Sequence, residues 1–187
     1  MGFLKKIDVR PMWHKLALLL IVGGLGGAAA PVSEYQLKAV FLFNFAQFVE
    51  WPATAFPQAN APFVIGVLGK DPFGTNLDDV VRGETVNKRA LVVERYHDVA
   101  DVRDCQILFI PATELAHLDA ILAGLKGRSI LTVTDADETS QRGVVIGLIT
   151  QEKKMRLRID VDAAKAANLT ISSKLLRPAE IVGTARS

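Results

Sequence analysis

The sequence is poor in residues that build covalent and metal sites. Cys105 is its only cysteine, so no disulfide can close within the chain and stability has to come from a packed core. Cys105 opens the apolar run Cys105 to Ile110 and reads as a small buried hydrophobe, with an intermolecular thiol as the lesser alternative. After residue 30 the only histidines are His97 and His117, and neither has an acidic or cysteine partner at the spacing of a zinc helix. No metal site is expected. The glycines of Gly66 to Lys70 lack the Gly-Lys-Ser or Gly-Lys-Thr ending of a phosphate loop, and Asp71 would repel a phosphate there, so this stretch reads as a strand-to-turn connection. Ser172-Ser173-Lys174 has no neighbouring base and no glycine-flanked nucleophile turn, so helix capping is the better account of these serines. No catalytic residue and no cofactor are expected.

Long hydrophobic runs are lacking too. Leu16 to Leu25 spans about ten apolar or glycine residues, against roughly 20 for a permanent membrane helix. It is preceded by Lys5, Lys6, Arg10 and Lys15 and followed by the small residues Gly26 to Ala30, which is the layout of a secretory signal peptide. Cleavage after Ala28, Ala29 or Ala30 fits, and no cysteine at the junction suggests a lipid anchor. Residues 1–30 are therefore read as an export signal and 31–187 as one domain, since that length supports one ordinary core. The formal charge of +2 belongs to the signal: removing it leaves 18 Lys and Arg against 19 Asp and Glu. Nucleic-acid binding thereby loses its compositional support.

Periodicity supplies the fold class. Ser33-Glu34-Tyr35-Gln36 has capping-box spacing and opens a helix through Val49, apolar nearly all round and so expected to be buried on more than one side, that ends before Trp51-Pro52. Phe63 to Leu68, Ala90 to Glu94, Gln106 to Ile110 and Ser129 to Thr134 read as strands, with helices at Leu77 to Val81 and Glu114 to Leu125. Val144 to Thr150 and Met155 to Val161 flank a polar tetrapeptide and form a hairpin with one solvated face. Asp162 to Asn168 and Lys174 to Val182 read as closing helices, the second interrupted at Pro178. The expectation is a single-domain α/β three-layer sandwich with a mixed, mainly parallel sheet and an antiparallel edge hairpin.

The stretch Leu37-Lys38-Ala39-Val40-Phe41-Leu42-Phe43-Asn44-Phe45-Ala46-Gln47-Phe48-Val49-Glu50-Trp51-Pro52 closely resembles the opening signature of the YfiR family of exported bacterial proteins. Gly66 to Gly74, Cys105 to Ile110, Ile130 to Asp135 and Leu169 to Leu176 resemble later blocks of the family in the same order. The resemblance implies a periplasmic repressor that binds the sensor domain of an inner-membrane diguanylate cyclase and keeps cyclic-di-GMP low. It also implies an outer-membrane lipoprotein that relieves repression by sequestering the repressor. The single cysteine departs from the family's intramolecular disulfides, so redox control of folding is not carried over. Arg142-Gly143-Val144 stands where a glycine pair is expected.

Asp71 and Asp135 each follow a strand read as parallel, the end of an α/β sheet where ligands usually sit, so they are candidate ligand contacts. Turn formation and helix capping are the competing reading of both. In the aromatic series Phe41, Phe43, Phe45, Phe48 and Trp51, core packing competes with a partner surface, and Phe43 and Phe45 are the candidate interface residues. Arg156 and Arg158, on a strand read as the sheet edge, are further interface candidates, as contacts or as charges that protect the edge. A second copy of the chain is a further candidate partner.

Overall fold

The computed structural model describes residues 32–136, 142–151 and 154–183. The chain divides into two units, Met1–Pro31 and Val32–Ser187, and the described residues belong to the second. The export-signal reading lies outside the described residues, as does the middle of the tetrapeptide between the hairpin strands.

Helix α1 (Glu34–Phe48) starts at the capping box. Ser33 Oγ accepts from the Gln36 amide, and Gln36 Oε1 accepts from the Ser33 amide, each at 3.2 Å. The helix buries one stripe, Lys38, Ala39, Leu42, Phe45 and Ala46. Tyr35, Phe41, Phe43 and Phe48 flank this stripe half-buried against the same core, so the expected burial on more than one side holds in part. The helix ends at Phe48 because Val49 is drawn into a short strand, β1 (Val49–Glu50), that pairs antiparallel with β9 (Thr170–Ile171).

The main sheet has eight strands in the order β10-β8-β7-β6-β5-β2-β4-β3. They are β2 (Phe63–Leu68), β3 (Thr85–Val86), β4 (Arg89–Tyr96), β5 (Ile107–Ile110), β6 (Leu131–Thr134), β7 (Ile146–Gln151), β8 (Lys154–Asp160) and β10 (Glu180–Val182). β4, β2, β5, β6 and β7 run parallel, while β3 and β8 are antiparallel to their neighbours β4 and β7. The near-continuous apolar strands β2, β5 and β6 are buried at every position, as a parallel sheet covered on both faces requires.

Helices cover both faces, giving the expected three layers. On one face α1, α2 (Asn76–Val81), α4 (Val161–Ala166) and α5 (Ser173–Leu176) pack over Phe63, Ile65, Phe109, Val133, Leu148 and Leu157. On the other, α3 (Leu118–Gly124) contributes Leu118 and Ile121 to a core with Val64, Leu68, Cys105, Leu108 and Ile110. The segment read as a helix over Glu114 to Leu125 is a 3-10 helix, Ala112–His117, that runs into the shorter α3.

The closing segment differs from its sequence reading. Only Ser173–Leu176 is helical, and after Pro178, which has no amide to continue a helix, Glu180–Val182 joins β8 as a parallel strand. The hairpin β7-β8 is therefore covered by β10, though only opposite Arg158, Ile159 and Asp160.

Candidate functional site

In this sheet the chain passes from β2 to β4 on one side, then crosses to β5 on the other. The crevice at such a reversal, outside the carboxyl ends of the strands, is where open α/β sheets hold ligands. Gly69, immediately after β2, has φ +67°, a conformation that glycine adopts without steric cost. The Glu114 side chain fills the space above it, such that a Cβ on Gly69 would collide with Glu114 Oε1. The protein's own Glu114 side chain thus lies over the turn that follows β2.

Asp135 follows β6 and is the centre of a buried network. Its Oδ2 accepts from Lys38 Nζ at 2.7 Å and from the Tyr35 hydroxyl at 2.9 Å, and its Oδ1 accepts from the Ala112 amide at 3.0 Å. Lys38 and Asp135 are 3% and 4% exposed, so each ion depends on the other for compensation. Glu34, one turn earlier on α1, adds a second carboxylate 2.7 Å from Lys38 Nζ and accepts from the Thr150 hydroxyl at 2.8 Å. The hydrogen bonds from Lys38 and Thr150 hold the Glu34 carboxyl below its ordinary pKa. Burial, and then the bond to Asp135, push the Tyr35 hydroxyl up to about 12. Lys38 Nζ also lies 4.4 Å from the centre of the Tyr35 ring, which meets Phe73 edge-on.

Asp71 belongs to a separate network at the same end of the sheet. Its Oδ1 accepts from the Phe73 amide at 2.7 Å, an Asx turn, and its Oδ2 accepts from Arg95 Nε at 2.9 Å. Arg95 also makes a two-pronged contact with Asp78, which lowers the Asp78 pKa, and donates to the Gly74 carbonyl. Both candidate ligand contacts thus brace local structure.

Of the two aromatic interface candidates, Phe45 is fully buried in the core and packs on Phe41 at 6.1 Å, so it is corrected to a core residue. Phe43 is half-buried against the same core. The apolar side chains that α1 leaves to solvent are Leu37 and Val40, 39% and 38% exposed, with Val32 just before the helix at 63%. Arg156 is exposed, and Arg158 lies 3.8 Å from Glu180 of β10, so β8 is an open edge only over its first half.

A cavity of about 340 Å³ opens at the opposite end of the sheet, before β5 and β6, among Thr54, Ala55, Arg103, Asp104, Arg128 and Ser129. Arg128 is committed to the Val102 and Arg103 carbonyls, and Gln106 ties this end together by donating to the Ala55 carbonyl at 2.7 Å and accepting from the Val64 amide at 2.8 Å. Cys105 is buried there, its thiol donating to the Ile107 carbonyl, and burial pushes its pKa up to about 12. His97 and His117 are exposed, and Ser172 caps α5 by accepting from the Lys174 amide. Among the described residues no cluster of three or more His, Cys, Asp or Glu is placed to hold a metal ion.

Residues 35–180 match the model of the YfiR/HmsC-like family. The chain belongs to this family. No curated protein matches it. The match runs from Tyr35 in α1 to Glu180, the first residue of β10, and so includes Tyr35, Lys38, Asp135 and the hairpin. The family is a regulatory, periplasmic one, and the match points to no particular partner.

The sequence reading missed Lys38, Tyr35, Arg95 and Glu114. One signal was present: Lys38 is the only charged residue on the buried stripe of α1, where an ion requires a counter-ion.

Proposed function

We propose that the protein is a periplasmic protein-binding repressor that restrains an inner-membrane diguanylate cyclase and so lowers cyclic-di-GMP output. Family membership supports the regulatory class. The observation that carries protein binding is the outward side of α1, where Leu37 and Val40 stay exposed while the charged groups at that end of the sheet are engaged with one another. Exposed apolar side chains on a rigid helix suit a partner surface better than a site for chemistry. The partner in this reading is the periplasmic sensor domain of the cyclase. An outer-membrane lipoprotein would compete for the repressor and relieve it. Repression requires tighter binding to the inactive cyclase, and a tenfold shift takes about 1.4 kcal/mol of differential affinity.

The test is cellular cyclic-di-GMP in a deletion strain complemented with the full-length gene, a signal-deleted gene or the Leu37→Glu/Val40→Glu double variant. A rise on deletion that only the exported wild-type form reverses supports the reading. Unchanged cyclic-di-GMP on deletion, in cells that express the protein, sinks it. A second reading, a small-ligand sensor that signals to a membrane kinase or transporter, draws on the cavity beside Arg103 and Ser129 rather than on Asp71 and Asp135.

A further inference from the structure

The geometry points to the first half of β8 as a docking edge for an extended, acidic segment of a protein partner. β8 is seven residues long, yet β10 pairs only with Arg158, Ile159 and Asp160. From Lys154 to Leu157 the strand is paired to β7 alone. The Asp160 amide donates to the Val145 carbonyl across the hairpin at 2.9 Å, so by the alternation of an antiparallel strand the amide and carbonyl of Met155 point away from β7. Unpaired backbone groups of this kind accept an added strand.

The side chains give the edge its sign. Lys154, Arg156 and Arg158 alternate with Met155, Leu157 and Ile159, whose side chains enter the core side. The cations therefore share the other face, about 6.8 Å apart at two residues per repeat, the spacing of alternate residues in any extended peptide laid beside them. Among the described residues the core on that face takes nothing from β7 or β8, so the helix layer stops short of this row. Arg158 is matched by Glu180 of β10, which shows the pattern in miniature: the strand added to this edge brings a carboxylate opposite an arginine. Among the described residues Lys154 and Arg156 have no carboxylate within ion-pair distance, in contrast to Arg82, Arg95 and Lys165. An incoming strand with an acid at every second position would continue the line that β10 begins. Only the partner's identity, the cyclase sensor domain, rests on the repressor reading; the chemistry of the edge stands apart from it.

The test uses the exported, purified protein and two fluorescein-labelled octapeptides, alternating Glu-Val and alternating Lys-Val. Fluorescence anisotropy is expected to show the Glu-Val peptide binding at least tenfold more tightly, with affinity falling as salt rises. The Lys154→Glu/Arg156→Glu variant should lose that preference, while Lys126→Glu, elsewhere on the surface, should keep it. Hydrogen exchange at the Met155 amide should slow on addition of the Glu-Val peptide. Equal binding of the two peptides, preference retained in the double variant, or unchanged exchange at Met155 overturns the proposal. Cyclic-di-GMP in the deletion strain is read separately, so the repressor reading can fail while the peptide result stands, and the reverse.

Discussion

Lys38 of α1 and Asp135 after β6 form a buried ion pair at 2.7 Å between residues 97 positions apart in the chain. The pair fixes the first helix to the carboxyl end of the sheet. Removing one partner leaves an uncompensated buried charge, so Lys38→Ala should cost about 3–5 kcal/mol in urea unfolding. Replacing both, as Lys38→Met/Asp135→Leu, should recover most of that loss. A double variant as unstable as the single one would contradict this account of the pair.

Glu34 has a lowered pKa because Lys38 and Thr150 bond its charged form. A depressed carboxyl contributes stability above its unfolded pKa, near 4.5, and loses it as pH falls through the folded value. Glu34→Gln should therefore flatten the decline in melting temperature below about pH 5. The effect should be modest, since Glu34 is half-exposed and solvent screens the pair. Melting curves of the two proteins that stay parallel from pH 6 down to 3 would count against it.

Cys105 is buried and its thiol pKa is raised to about 12, so the nucleophilic thiolate is scarce in the native protein at pH 8. Iodoacetamide should label the folded protein only at the rate of unfolding, and label it rapidly in denaturant. Rapid native-state labelling followed by mass spectrometry would show the opposite.

Gly69→Ala should destabilise by about 1–3 kcal/mol, because the residue has positive φ and the new methyl meets Glu114. Adding Glu114→Ala should return the steric part and leave the backbone strain. Thermal unfolding of the single and double variants separates the two contributions.

Local signals made much of this fold legible. The capping box located the start of α1, and uninterrupted apolar runs located β2, β5 and β6. Strands β1, β3 and β9 have two residues each, too few for any periodicity, and exist because a partner strand lies beside them. β10 was concealed by an alanine and leucine composition around Pro178 that reads as helix. The sites were harder. Asp71 and Asp135 were correctly placed at one end of the sheet, but what they hold comes from Arg95 and Lys38, and no local pattern encodes contacts across 24 and 97 residues.

The partners of α1 also bear on the order in which the chain can close. Tyr35 and Lys38 wait for Asp135, Glu34 for Thr150, and the end of the helix for Ile171 and Ser172. A polypeptide made from its N-terminus presents α1 long before any of these residues emerge. The fold thus contains its own delay: α1 can meet β2, Phe73 and α2 early, but its ion pair and its strand partner stay open until residues 135 to 172 exist, so the opening helix is fixed at both ends only near the close of folding.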